Sequence, residues 1–118
     1  VKIKLWARQE FEAAHNLRGT FPPGHQCCRN HGHRYEVTLE LAMNDDGADV
    51  MVDYHDMHAG LTAELGKLDH RDLNKVLDEP TTCENIARHL WRRFAGRWST
   101  VSRVEVQEQS NTGCVLER

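Results

Sequence analysis

Two long stretches of the chain alternate apolar and polar positions. In residues 3–15, Ile3, Leu5, Ala7, Phe11, Ala13 and His15 share one face, and only Gln9 interrupts them. A period of two is the pattern of a half-buried strand. Residues 31–42 repeat it, with His31, His33, Tyr35, Val37, Leu39 and Leu41 on one face and Arg34, Glu36, Thr38 and Glu40 on the other. Between the two, residues 16–30 carry Gly19, Pro22, Pro23, Gly24 and the adjacent Cys27 and Cys28. That composition is a loop, and its length for a compact domain marks it as a functional segment. Asn44-Asp45-Asp46-Gly47 predicts a turn.

The period then becomes helical. Asp53 predicts the N-cap of a helix from about Tyr54 to Leu68, with Met57, Leu61, Leu65 and Leu68 as its apolar stripe. Residues 69–80 read as irregular and polar. Pro80 and a T-x-x-E capping box, Thr81 with Glu84, start a second helix striped by Ile86, Ala87, Leu90, Trp91, Phe94 and Trp98. Val101–Gln109 and Gly113–Glu117 read as a closing hairpin, with Val104, Val106 and Glu108 on one face. The order ββααββ predicts one α+β domain over residues 1–118, a four-stranded antiparallel sheet with two helices on one face. Such a sheet leaves unpaired backbone at both edges, so pairing with further copies of the chain is expected.

Composition narrows the chemistry. With 118 residues and 13.6 kDa the chain has room for one domain, and too little material to wall off a large private cavity. The 39% hydrophobic and 28% charged content is that of a globular protein. No apolar run is long enough to span a membrane, and residues 1–6 lack a signal-peptide core. A cytoplasmic protein with reduced thiols is therefore expected. The net charge of −3 disfavours a nucleic-acid surface. What stands out is eight His and four Cys.

His31-Gly32-His33 on a strand puts two imidazoles on one face, about 6–7 Å apart along the backbone. His15 lies on the matching face of the preceding strand, and antiparallel pairing brings it opposite that pair. Three imidazoles with an open fourth position are the donor set of a catalytic zinc site. Cys27 and Cys28 precede His31 closely enough to supply either a fourth ligand or a reactive thiol. Asp69-His70 has the composition of an oriented acid–base pair, or of an ordinary polar loop. Glu108 shares a face with two valines, so it is either solvated at the strand end or buried against a ligand that donates hydrogen bonds.

Taken together, these segments resemble the 6-pyruvoyltetrahydropterin synthase superfamily, and within it the 6-carboxytetrahydropterin synthase branch. The matching segments are Phe11-Glu-Ala-Ala-His15, Gly24-His-Gln-Cys27 and His31-Gly-His33. They continue with Asp53-Tyr54, Leu68-Asp69-His70, Leu73-Asn74, Pro80-Thr-Thr82 with Glu84, Glu108, and Thr112-Gly113-Cys114. They run in order along nearly the whole chain. Three residues separate Cys27 from His31, which is the spacing of the carboxy branch, whereas the pyruvoyl branch usually has five. Asn16 stands where relatives often carry Arg, and Gln26 where a close relative has Lys; both lower the positive charge near the site.

The resemblance implies His15, His31 and His33 as ligands of Zn2+, and Cys27 as the catalytic thiol, with Cys28 a bystander. It implies Asp69 and His70 as acid–base partners, Glu108 as the anchor of the pterin, and Thr82 at the pterin edge. The implied reaction converts 7,8-dihydroneopterin triphosphate to 6-carboxy-5,6,7,8-tetrahydropterin, with release of acetaldehyde and triphosphate, toward 7-deazapurines such as queuosine or a related nucleoside antibiotic. The implied assembly is a homo-oligomer, a trimer or a hexamer of two trimers, with active sites between subunits and no nucleic-acid or membrane partner. Pyruvoyl synthesis on the same scaffold, a dihydroneopterin aldolase-like activity and a zinc module without turnover are the alternatives.

Overall fold

The computed structural model covers residues Val1–Arg118. Strand β1 (Lys2–His15) pairs antiparallel with β2 (His31–Asn44) along its whole length, from Lys2 opposite Asn44 to His15 opposite His31. Strand β3 (Val101–Gln109) pairs with β2, and β4 (Thr112–Glu117) pairs with β3. The result is the expected antiparallel sheet in the order β1-β2-β3-β4. Helices α1 (Tyr54–Leu65) and α3 (Cys83–Ala95) cover one face of it, and a single turn, α2 (Leu73–Val76), lies between them.

The alternation read from the sequence decides which face is covered. Phe11 and Ala13 of β1, Tyr35, Val37, Leu39 and Leu41 of β2, and Val104 and Val106 of β3 are buried in one cluster. Met57, Leu61 and Leu65 of α1 and Ile86, Leu90 and Phe94 of α3 close over them. Each large apolar side chain buried this way contributes about 1.5–3 kcal/mol relative to exposure. Phe11 stacks on Tyr35 with ring centroids 4.7 Å apart, which ties β1 to β2 beneath the helices. Gln9, which interrupts the apolar run on that face of β1, donates to the His58 carbonyl and the Thr62 hydroxyl of α1. At Gly60 the indole of Trp98 lies so close that a Cβ would sit 2.2 Å from its ring, so α1 must be bare there.

Four local expectations need correction. Helix α1 ends at Leu65 with Gly66 as its C-cap, and the buried Leu68 lies on the turn that follows. Residues 73–76, expected to be irregular, form α2, capped by the Asp72 carboxylate accepting from the Asn74 N–H. The cap of α3 is Thr82, whose hydroxyl accepts from the Asn85 N–H, so the Thr81–Glu84 box is out by one residue. Two adjacent threonines offered the same cap, and tertiary packing chose between them, because Thr81 is wholly buried elsewhere. The same helix stops at Ala95, which leaves Trp98 beyond its end.

Residues 69–72 run beside the free edge of β1. The His70 N–H donates to the Glu12 carbonyl at 2.6 Å, and the Ala14 N–H donates to the Arg71 carbonyl at 3.0 Å. This covers the last part of one edge and leaves the rest of β1, and β4 on the far side, unpaired. No helix is long and apolar enough to cross a membrane.

Glu64 of α1 links the two long helices. Its side chain is 2% exposed, and it accepts hydrogen bonds from Arg93, Arg97 and Lys67. Burial alone would raise its pKa, but these three donors overcome that and bring it down to about 2. A carboxylate with a lowered folded-state pKa contributes stability above its unfolded value, near 4.5, and loses it as pH falls through about 2. Glu64→Gln is expected to cost about 1–3 kcal/mol at neutral pH and to flatten the acid limb of the stability curve. Urea unfolding of both proteins across that pH range measures the difference.

Candidate metal centre and active site

The register of the first two strands builds the metal cluster. His15 ends β1 opposite His31, and His33 lies two residues further along β2 on the same face. One ligand atom from each of the three imidazoles falls within 4.8 Å of the other two. The chain also orients two of the rings. His15 Nδ1 lies 2.9 Å from the Thr81 carbonyl and 3.1 Å from its hydroxyl, and His31 Nδ1 lies 2.7 Å from the Arg29 carbonyl. A ring that donates from Nδ1 to a carbonyl presents the Nε2 lone pair to a metal. His15 Nε2 is buried and has no hydrogen-bond partner. An orphaned ring nitrogen facing two further imidazoles fits a bound metal ion.

Charge state agrees with that use. Burial lowers the pKa of His15 against the opposing effect of Thr81. Burial, and then the proximity of His15 and His31, lowers His33 to about 4. Neutral imidazoles at physiological pH are ready ligands.

A cavity of about 420 Å³ opens beside the cluster, and Cys27, His31, His33, Thr82, Cys83 and Glu108 are among its lining residues. Cys27 sits on a single helical turn, Gln26–Cys28, that the His25 side chain caps by accepting from the Cys27 N–H. The neighbouring Cys28 turns away, with its sulfur 3.5–3.6 Å from the carbonyls of Pro22 and Phe21. The structure thus separates the two adjacent thiols, and only Cys27 faces the cavity. Thr82 reaches it because it caps α3.

Glu108 arrives by a different device. The pairing of β3 with β4 shifts between Gln107 and Gln109, so Glu108 sits at an irregularity in that ladder. Such bulges re-aim side chains next to functional sites. Its Oε1 lies 3.4 Å from His15 Nε2 and 3.3 Å from His33 Nε2. Burial raises the pKa of its carboxyl.

Asp69 and His70 form the expected pair, with His70 Nδ1 3.0 Å from Asp69 Oδ2. The Glu12 N–H donates to Asp69 Oδ1, and this bond, followed by the one from His70, holds the Asp69 carboxyl below its ordinary pKa. His70 takes a left-handed backbone, φ +57°, which turns two adjacent side chains toward each other. The pair does not join Cys27, however. His70 lines a second cleft with Glu12, Gly32, His33, Arg34 and Arg71, and of these only His33 also lines the Cys27 cavity.

Three contributors escaped the sequence reading. Thr81 and the Arg29 carbonyl orient the ligands, and nothing in local sequence marks a residue or a carbonyl that acts across the fold. Tyr35 is wholly buried with an unpartnered hydroxyl, and its ring lies 5.6 Å from that of His33. Its place on the histidine face of β2 was the available signal. The four remaining histidines, His25, His55, His58 and His89, join no metal cluster.

The sequence profile of the 6-pyruvoyl tetrahydropterin synthase family matches residues 4–118. A provisionally named 6-carboxy-5,6,7,8-tetrahydropterin synthase of Archaeoglobus fulgidus is 29% identical over 109 residues, covering 92% of this chain and 90% of that one. A dihydroneopterin monophosphate aldolase of Pyrococcus furiosus is 32% identical over 91 residues, covering 77% and 72%. The 6-pyruvoyl tetrahydropterin synthase of Caenorhabditis elegans has the same fold, with a TM-score of 0.88 at 19% identity over 100% of this chain and 96% of that one. A match over nearly the full length, on a chain that folds as these do, makes this protein a member of the 6-pyruvoyl tetrahydropterin synthase family of enzymes.

Proposed function

We propose that this protein is a zinc-dependent lyase that converts 7,8-dihydroneopterin triphosphate and water to 6-carboxy-5,6,7,8-tetrahydropterin, acetaldehyde and triphosphate. The observation that carries this reading is the meeting of Cys27, Glu108, Thr82 and two of the three clustered imidazoles around one cavity. The Archaeoglobus relative and the three-residue spacer between Cys27 and His31 favour the carboxy product over the pyruvoyl one.

Each side chain has a task that suits its surroundings. His15, His31 and His33 would hold Zn2+, which as a Lewis acid polarises oxygen groups of the substrate side chain. Glu108 accepts hydrogen bonds from the amino and ring N–H groups of the pterin and so fixes the ring. Thr82 contacts the edge of that ring. Cys27 removes a proton from the side-chain carbon next to the ring. The buried Cys83 thiol, whose pKa burial pushes up to about 12, stays protonated and takes no part.

His70, oriented by Asp69, moves protons on the opposite face of the substrate. Because it lines a different cleft from Cys27, it acts in the pocket of a neighbouring copy. The assembly that brings them together is a ring of three copies joined by their sheet edges, doubled to six. The product feeds 7-deazapurine synthesis in the cytoplasm, and residues 1–118 form one catalytic domain. A second reading, an aldolase acting on the monophosphate, has the Pyrococcus relative in its favour.

Product identification separates these readings. Incubation with dihydroneopterin triphosphate is expected to release acetaldehyde and a 6-carboxy pterin, detected by mass spectrometry. A pyruvoyl product without acetaldehyde, or cleavage of the monophosphate to a hydroxymethyl pterin, would overturn the choice. Cys27→Ala is expected to keep its metal while activity falls about 10²–10⁴-fold, whereas His31→Ala loses both metal and activity. Mixed assemblies of Cys27→Ala and His70→Ala chains are expected to recover activity that neither variant has alone. No recovery would mean that each site lies within one chain.

A further inference from the structure

Glu108 is closer to the metal cluster than a pterin anchor needs to be. Its Oε1 lies 3.4 Å from His15 Nε2 and 3.3 Å from His33 Nε2. At His15 the approach is not a hydrogen bond, because His15 Nε2 has no hydrogen-bond partner at all. The His15 ring donates from Nδ1 to the Thr81 carbonyl, so its Nε2 offers a lone pair. An acceptor carboxylate oxygen against that lone pair is unfavourable by itself. It becomes favourable when a cation sits between them.

The distances have the matching scale. In a tetrahedral site with bonds of about 2.0–2.1 Å, neighbouring donor atoms lie roughly 3.4 Å apart. Oε1 is thus spaced from two of the three nitrogens as a fourth ligand would be. Neither Glu108 nor Cys27 belongs to the three-nitrogen cluster bounded by 4.8 Å, but only Glu108 already stands against two of its members. Its approach to the third, His31, requires a side-chain adjustment that a half-buried carboxylate at a strand irregularity can make.

We infer that Glu108 is the fourth ligand of the metal ion while the pocket is empty, and that it leaves the ion to receive the pterin. The metal–carboxylate bond breaks as the N–H groups of the pterin offer the same oxygens hydrogen bonds. Arrival of the ring is thereby coupled to opening of a coordination position for a substrate oxygen. The inference rests on the proposed role of Glu108 as pterin anchor and adds a second role to it.

The test uses the full-length protein stripped of metal, and compares the native protein with Glu108→Gln, which preserves shape, and His31→Ala, a ligand-loss reference. Zn2+ affinity is measured by competition with a chromophoric chelator, Co2+ coordination by visible absorption, and folding by circular dichroism. Glu108→Gln is expected to remain folded and to bind Zn2+ about 10-fold or more weakly. The Co2+ band of the native protein is expected to change when 7,8-dihydroneopterin is added, and the variant's is expected to lack the native starting spectrum. Unchanged Zn2+ affinity and Co2+ spectrum with lost pterin affinity would overturn the inference and leave the proposed function standing. Weaker metal binding with unchanged pterin affinity would support the ligand role alone, overturn the exchange with pterin, and remove the anchor role from the proposed function.

Discussion

The site depends on the register of β1 against β2. His15 and His31 face each other because 14 residues of each strand pair without a slip. Side chains alternate faces along a strand, so a shift of one residue would send either His15 or the His31–His33 pair to the opposite face. The same slip would expose Phe11 or Tyr35, whose stacked rings lie just below the cluster. The apolar core and the metal donors therefore enforce one another. Each requires the register that the other stabilises.

Around this frame the ligands are set by groups distant in the chain. Thr81, from the segment that leads into α3, fixes the His15 ring, and the Arg29 carbonyl, at the end of the long loop, fixes His31. The choice of Thr82 over Thr81 as the helix cap follows from that requirement. A threonine whose carbonyl and hydroxyl both face His15 Nδ1 cannot also cap α3. Burial acts in the same direction by keeping the His15 and His33 imidazoles neutral.

The side chains that the proposed chemistry uses line two different clefts. Cys27 and Glu108 line the cavity by the metal cluster, and Asp69 and His70 cap the outer edge of β1. A small domain can hold such a division because its sheet edges remain available for a second copy. The left-handed backbone at His70 and the hydrogen bond from Glu12 to Asp69 fix the pair before any partner arrives.

The sequence by itself determined the four strands, the two long helices and the face that carries the histidines. Those follow from local periodicity, a property of neighbouring residues, and the H-x-H spacing survived because strand geometry is regular. It also supplied the candidate side chains, and the three-residue spacer to His31 favoured Cys27 over Cys28 without showing which of them faces the cavity. Tertiary structure decided that, together with the α3 cap, the turn at 73–76, the irregularity that aims Glu108, and the separation of His70 from Cys27. Each of these is settled by contacts between residues far apart in the chain. Local pattern carries no information about which distant carbonyl or ring will occupy the space beside a side chain.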